Sequence, residues 1–362
     1  ARSADYLQAL REQPAAVNSV PLLGHSALRA SVMDRTDRPA KADEVAAMQA
    51  LAREALRAGF HGISTGTFYA SAAQASTEEI IEVCQPLRSE GGVFATHMRD
   101  EGAEVLKSLD ETARIARALG VLAIVSHHKV AGRANHGRSV ETLARVEALQ
   151  AAPGALRLVL DCYPYSASST VLRADRVAQS ERTLVSDCPA FPHYVGRDVE
   201  TLAAELGLTV AALCEKLAPA GAVYFSMAEA DVERILQHPA TMIGSDGIPL
   251  QARPHPRLWG SFPRVLGHYC RGRGLFSLET AVHKMTGLTA ARFGLADRGV
   301  LAPGLAADIT IFDAERVIDR ATFDEPATAA EGIEAVLVNG QVAWRDGQGQ
   351  ALAGRLLAPG DR

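Results

Sequence analysis

Four short apolar runs, each stopping at a reactive side chain and each followed by a helical stretch, constrain this chain more than any other feature. Val93-Phe94-Ala95-Thr96 stops at His97, and Leu122 to Ser126 stops at His127-His128. Leu156 to Leu160 stops at Asp161-Cys162-Tyr163, and Thr241 to Ser245 stops at Asp246. Between them lie helical faces such as Val105, Leu109, Ala113 and Ala116, or Val140, Leu143, Val146 and Leu149; these recur at helical spacing. Strands that are apolar throughout are buried on both faces, so the alternation predicts a parallel sheet covered by helices. Reactive groups at the C-terminal ends of several such strands point to a (β/α)8 barrel, whose active sites occupy that rim. A doubly wound open sheet would give the same alternation, but no GxGxxG stands at a strand–helix junction.

The rest of the chain extends this pattern. Val17 to Gly24 reads as a strand weakened by Pro21, residues 43–58 as a helix, and Gly62 to Ser64 as another strand. Ser76 and Glu79 have capping-box spacing and open a helix running to Ser89. The connection from Tyr163 to Thr241 is long for two neighbouring strands and carries helices near 198–206, 209–217 and 229–237, which suggests a lid or specificity loop. Arg253 to Arg273, the most basic stretch, is interrupted by Pro, Trp, Gly and Phe and reads as a loop and a short helix. Beyond residue 297 short alternating strands, Ala307 to Phe312 and Ala335 to Gly340, replace the helices. The expected organisation is a barrel over 1–296 with a lid at 164–241, then a small β-rich portion over 297–362.

Composition excludes some partners. A net charge of −5 without a dense Lys/Arg run argues against nucleic acid and anionic membranes. Five scattered cysteines without CxxC spacing fit a reducing cytoplasm better than a disulfide framework. No apolar run is long enough to span a membrane, and no signal peptide is recognisable. The chain starts with Ala rather than Met, which leaves room for upstream processing or truncation.

His97 and His127 form the sharpest chemical signal. They end consecutive strands one βα unit apart, and neutral imidazoles brought together there suit Zn2+. His128 competes with His127, because neighbouring strand residues face opposite ways, and the pattern alone leaves the choice open. Asp246, in Gly244-Ser245-Asp246-Gly247, can take a proton from a metal-activated water; the alternative is an Asp-Gly turn. Lys129, Tyr163, Arg253 and Arg257 gather charge and a hydroxyl at the same rim, where an Arg fork can hold a substrate carboxylate. Arg173 and Arg176 follow on the excursion, and His25 ends the first strand as a rim candidate.

At these residues the chain resembles the D-aminoacylase family of the amidohydrolase superfamily, the N-acyl-D-amino-acid and N-acyl-D-glutamate deacylases. The matching segments are Thr96-His97-Met98-Arg99, Ser126-His127-His128-Lys129, Tyr163-Pro164-Tyr165, Gly244 to Gly247 and Arg253 to Gly260, and the similarity spans essentially the whole chain. The resemblance implies that His97 and His127 are ligands to one or two Zn2+ ions from the fifth and sixth barrel strands. It implies that Asp246, on the eighth, is the acid/base beside the metal and a further metal ligand. It assigns Lys129, Tyr163 and Arg257 to the substrate α-carboxylate, Ser169 to a substrate loop, and Arg176 to an acidic substrate side chain. The implied reaction is hydrolysis of N-acyl-D-amino acids, with N-acyl-D-glutamate favoured by Arg176. The family pattern begins with an HxH motif and a cysteine ligand that have no counterpart here, so the isolated chain is expected to bind zinc weakly and turn over little. Three alternatives remain open: a deacylase of neutral N-acyl-D-amino acids, a cyclic-amide hydrolase of the hydantoinase or dihydroorotase kind, and a non-catalytic scaffold or fragment. Oligomeric state is not legible.

Overall fold

A computed structural model describes residues 3–152, 154 and 156–359. The extreme residues of the expected 1–296 and 297–362 divisions lie outside these. The strand–helix alternation starts with β1 (Leu23–Gly24), β2 (Gly62–Gly66), β3 (Val93–His97), β4 (Leu122–Val125) and β5 (Leu158–Cys162). The excursion then contributes β6 (Ala167–Val171), β7 (Arg182–Asp187) and β8 (Gly221–Phe225) before β9 (Thr241–Ile243) rejoins. β1-β2-β3-β4-β5-β9 form one six-stranded sheet in which every neighbouring pair is parallel.

Alternate residues along these strands serve two cores. Phe94, Ala123, Leu158, Leu160 and Ile243 join the helices Ala42–Ala58, Val105–Leu119 and Ser139–Ala151 in the main cluster. Val93, Ala95, Leu122, Ile124, Val159 and Met242 pack on the opposite face with Leu288. This two-sided burial is why the strands carry no polar alternation. The parallel arrangement also sends all six C-terminal ends to one edge, which gathers the reactive strand-end residues.

Several local expectations are corrected. Of Val17–Gly24, only Leu23–Gly24 pairs as a strand; Pro21 has no N–H for a ladder, and Ser19 instead bridges to Leu356. Ser76 does cap its helix, its Oγ accepting from Glu79 N at 3.0 Å, but the helix stops at Cys84 and a separate turn, Leu87–Glu90, follows Pro86. The Glu79 carboxylate completes no box, because it is drawn away to Arg29.

The excursion has its helices where expected, at Val199–Glu205, Val210–Leu217 and Glu229–Gln237. It also builds an antiparallel sheet, β6-β8-β7, with its own core around Val185, Leu202, Leu213 and Tyr224. The Arg253 to Arg273 region is more helical than its Pro and Gly content suggests. A helix over Arg257–Arg264 continues as a π-helical stretch over Val265–Gly272. Pro263 removes one α-type hydrogen bond inside it. Gly267 is needed for close approach rather than as a breaker, since a Cβ there would overlap the Val317 carbonyl.

The tail forms β10 (Ile309–Phe312), β11 (Ile333–Val338), β12 (Gln341–Arg345) and β13 (Gln348–Gly349), all antiparallel. Asn339 and Gly340, at φ +50° and +80°, make the tight turn between β11 and β12. No helix among the described residues is long and apolar enough to cross a membrane.

Candidate metal and carboxylate site

His97 is the last residue of β3, and His127 stands two residues beyond β4. Because these strands are hydrogen-bonded neighbours, the two rings meet edge to face with centroids 4.5 Å apart. His97 is further packed by Phe68 and Tyr69, at 5.2 and 4.9 Å. Burial pushes the His97 imidazole from 6.5 down to about 3, outweighing the pull of Glu101, so the ring is neutral and has a lone pair to give.

The backbone at His127 is strained, with φ +40° in the left-handed region, and Asp246 shares that feature at φ +48°. Non-glycine residues adopt it at a cost and are found disproportionately at functional sites. At His127 the distortion is held by its own N–H, which donates to Asp161 Oδ1 at 2.7 Å. Of the two histidines, His127 faces His97, whereas His128 is fully buried with its Nε2 3.0 Å from Thr142 Oγ1.

One group absent from the sequence expectations lies at the centre. Glu101, 3% exposed, places Oε1 at 2.6 Å from Lys129 Nζ and 3.1 Å from His127 Nδ1, and Oε2 at 3.7 Å from both His97 Nε2 and Arg176 Nη2. Burial opposes its charge, but the Lys129 ammonium above all more than offsets that and holds the carboxyl well below its usual range. Among the described residues, His97, Glu101 and His127 are the group whose ligand atoms lie within 4.8 Å of one another. Asp246 is not in that set. It lies beyond the end of β9, its side chain 36% exposed, and its Oδ2 accepts from Arg257 Nη2 at 2.8 Å.

Around this centre the expected carboxylate-binding residues converge. The buried ring of Tyr163 has Lys129 Nζ 5.6 Å and Arg257 Cζ 4.6 Å from its centroid. Arg257, 1% exposed at the start of its helix, also donates to the Ser169 carbonyl at 3.3 Å. Ser169 Oγ itself donates to Gln251 at 3.3 Å. Arg176 lies on the short helix Ala174–Ala178 and stacks its guanidinium 4.5 Å from the Phe68 centroid. Tyr163 Oη, Arg257 Nε and Nη1, Arg176 Nε and His97 Nε2 are all buried without a hydrogen-bond partner among the described residues.

Other candidates are structural. Arg253 donates to the carbonyls of Phe323 and Asp324, at 3.0 and 2.8 Å, and so ties down that loop. Arg173 pairs with Asp175 at 2.8 Å. His25 is buried against Glu79, 3.3 Å from Oε1, in a cluster with Arg29.

The residues present suit a metal ion: two converging imidazoles, one held neutral by burial, with carboxylates beside them.

Comparison with known proteins places this geometry. Residues 176–344 match the Amidohydrolase family. The chain is 55% identical over 361 residues to a D-aminoacylase of Alcaligenes xylosoxydans xylosoxydans, covering 99% of this chain and 73% of that protein. It is 51% identical over 360 residues to an N-acyl-D-aspartate deacylase of the same organism, covering 99% and 72%. It superposes with a TM-score of 0.95, at 40% identity, on the N-acyl-D-glutamate deacylase of Bordetella bronchiseptica, covering 99% of this chain and 75% of that one. That relative was solved with zinc and a phosphonate inhibitor that mimics the tetrahedral intermediate of its reaction. Strand-end histidines, strained rim backbone and fold thus have one common explanation: the chain belongs to the D-aminoacylase family of amidohydrolases.

Proposed function

We propose that this protein hydrolyses the acyl amide of N-acyl-D-amino acids, with preference for an acidic side chain such as that of N-acyl-D-glutamate. The observation that carries the reading is the ring of buried, unpartnered donors beside the histidine pair: Tyr163 Oη, two nitrogens of Arg257 and one of Arg176. A buried donor without an acceptor costs about 1–3 kcal/mol, more when charged. An incoming carboxylate removes that cost, so the site selects an anionic ligand before any chemistry begins.

In this reading His97 and His127 hold zinc, as the bound metal of the 40%-identical relative suggests. When bound, the ion supplies Lewis acidity and makes water acidic enough to attack at neutral pH. Arg257 and Tyr163 grip the α-carboxylate, with Lys129 beside them, and so fix the amide carbon near the histidine pair. Ser169 supports Arg257 through its carbonyl. Asp246 Oδ2, oriented by Arg257, receives the water proton and returns it to the leaving amine. Arg176, its guanidinium carbon over the Phe68 ring, meets the second carboxylate of an acidic substrate. Anchoring the α-carboxylate, the amide and the side chain at three separate points gives the chiral selection.

We read 1–296 as the catalytic unit, 164–241 as the rim segment that brings Ser169 and Arg176 to it, and 297–362 as a flanking sheet. Cysteines 84, 162, 188, 214 and 270 are all unpaired, which supports a cytoplasmic setting.

The test is Arg176→Met, assayed with zinc on the product of the complete reading frame. N-acetyl-D-glutamate hydrolysis should fall about 100-fold, as for loss of a charged contact near 3 kcal/mol, while N-acetyl-D-leucine changes little. Equal losses on both substrates would remove the acidic preference. Absence of D-amino-acid release by the parent would remove the reading itself.

A further inference from the structure

We propose that His255 is a positioning residue: it ties Arg257 to the edge strand β6 and so aims that guanidinium at a carboxylate. The inference rests on the reading above only in taking Arg257 as a holder of the substrate α-carboxylate.

His255 stands two residues before the helix Arg257–Arg264 and is 3% exposed. Both ring nitrogens are committed. Nδ1 accepts from the Arg257 backbone N–H at 2.9 Å, and Nε2 donates to the Ala167 carbonyl at 3.0 Å. These partners fix the tautomer, since a backbone N–H only donates and a carbonyl only accepts. Burial, helped by the Arg257 charge, holds the imidazole well below its usual range, so Nδ1 keeps its lone pair. The same bond satisfies one of the N–H groups that a helix start leaves without an internal acceptor. Tyr165 and Phe323 wall the ring edge to face, with centroids at 5.2 and 5.0 Å.

The second tether runs through the guanidinium. β6 is at the edge of the sheet β6-β8-β7, and carbonyls two residues apart on a strand point the same way. His255 takes the carbonyl of Ala167, and Arg257 Nη2 takes that of Ser169 at 3.3 Å. Both the backbone and the far end of Arg257 are thus referred to one strand. That leaves Nη2 on Asp246 Oδ2, with Nε and Nη1 buried and without a hydrogen-bond partner among the described residues. A donor held in place before the ligand arrives loses less entropy on binding. Cutting the Ala167 tether frees β6 from the start of the helix and removes that advantage.

The experiment is a double-mutant cycle on zinc-loaded protein from the complete reading frame: parent, His255→Asn, Arg257→Lys and the pair. Asparagine places a carbonyl where Nδ1 stood and keeps the Arg257 N–H satisfied, but the shorter side chain falls short of Ala167. Calorimetry measures affinity for a phosphonate analogue of N-acetyl-D-glutamate, and urea denaturation shows that each variant is folded. His255→Asn should bind the analogue about 10-fold more weakly than the parent, as for one lost buried hydrogen bond. On the Arg257→Lys background the same change should cost less than about threefold, because the group it positions is gone. A merely structural histidine would give equal losses on both backgrounds. That outcome would overturn the proposal, as would parent-like affinity in His255→Asn or a parent without affinity for the analogue. If His255→Asn does not fold, His255→Gln carries the same cycle, its amide reaching Ala167 while the Arg257 N–H loses its acceptor. A parent that binds the analogue yet leaves N-acetyl-D-glutamate intact would remove the deacylase reading, and the cycle would still decide this inference.

Discussion

Arg257→Lys keeps the charge and removes the fork, which makes it the sharpest probe of carboxylate capture. Arg257 Nη2 is already committed, at 2.8 Å to Asp246 Oδ2 and 3.3 Å to the Ser169 carbonyl, while Nε and Nη1 have no hydrogen-bond partner among the described residues. One guanidinium can thus hold the acid/base through Nη2 and offer Nη1 or Nε to a substrate carboxylate. A lysine has a single nitrogen and must choose between them. Losing one charged, buried hydrogen-bonding edge costs about 3 kcal/mol, or roughly 150-fold in kcat/KM. Since the carboxylate is held equally in ground and transition states, most of the loss should fall on KM. Steady-state assays on N-acetyl-D-glutamate and N-acetyl-D-leucine should show the same loss, because both carry the α-carboxylate. Denaturation measured alongside separates this from unfolding. A kcat/KM within about threefold of the parent, under 1 kcal/mol, would refute the assignment.

Two further predictions concern the buried cluster of His25, Arg29 and Glu79 at the end of β1. Glu79→Gln leaves the fully buried Arg29 without its ionic partner and should lower unfolding free energy by about 3 kcal/mol in urea titrations at neutral pH. Burial opposes the Glu79 charge, but hydrogen bonds from His25 and Arg29 more than offset it, so its folded pKa lies below the ordinary 4.5. Its contribution is therefore complete above that value and lost as pH falls through the folded pKa; the parent's acid-side loss of stability should be shallower in Glu79→Gln.

The juxtaposition of the histidine pair was legible because strand-end chemistry is a local signal. His97 and His127 announce themselves at the ends of apolar runs, and parallel pairing of β3 with β4 brings the rings together without any long-range information. Choosing His127 over His128 needed either the family resemblance or the structure, since it turns on a left-handed residue pinned by Asp161, itself on the next strand. Glu101 was invisible for a similar reason. A glutamate past a strand end is ordinarily solvated, and its burial depends on Lys129 from beyond β4 and Arg176 from the excursion. The only local hint was its close spacing after His97. The antiparallel sheet β6-β8-β7 was missed because Ala167–Val171 is small and hydroxyl-rich, and β8 arrives only after two intervening helices. At Gly260 and Gly267 a Cβ would overlap Tyr165 or Val317 across a close contact, a tertiary requirement that no local pattern displays.

The central claim is that the histidine pair holds zinc while the unpartnered donors hold a substrate carboxylate. Diffraction at the zinc edge, from crystals grown with zinc and a phosphonate analogue of N-acetyl-D-glutamate, tests both halves in one measurement. The expected result is an anomalous peak within coordination distance of His97 and His127, with the analogue's α-carboxylate against Tyr163 Oη and Arg257. Zinc bound away from this pair, or a carboxylate that leaves those donors unpaired, would contradict it.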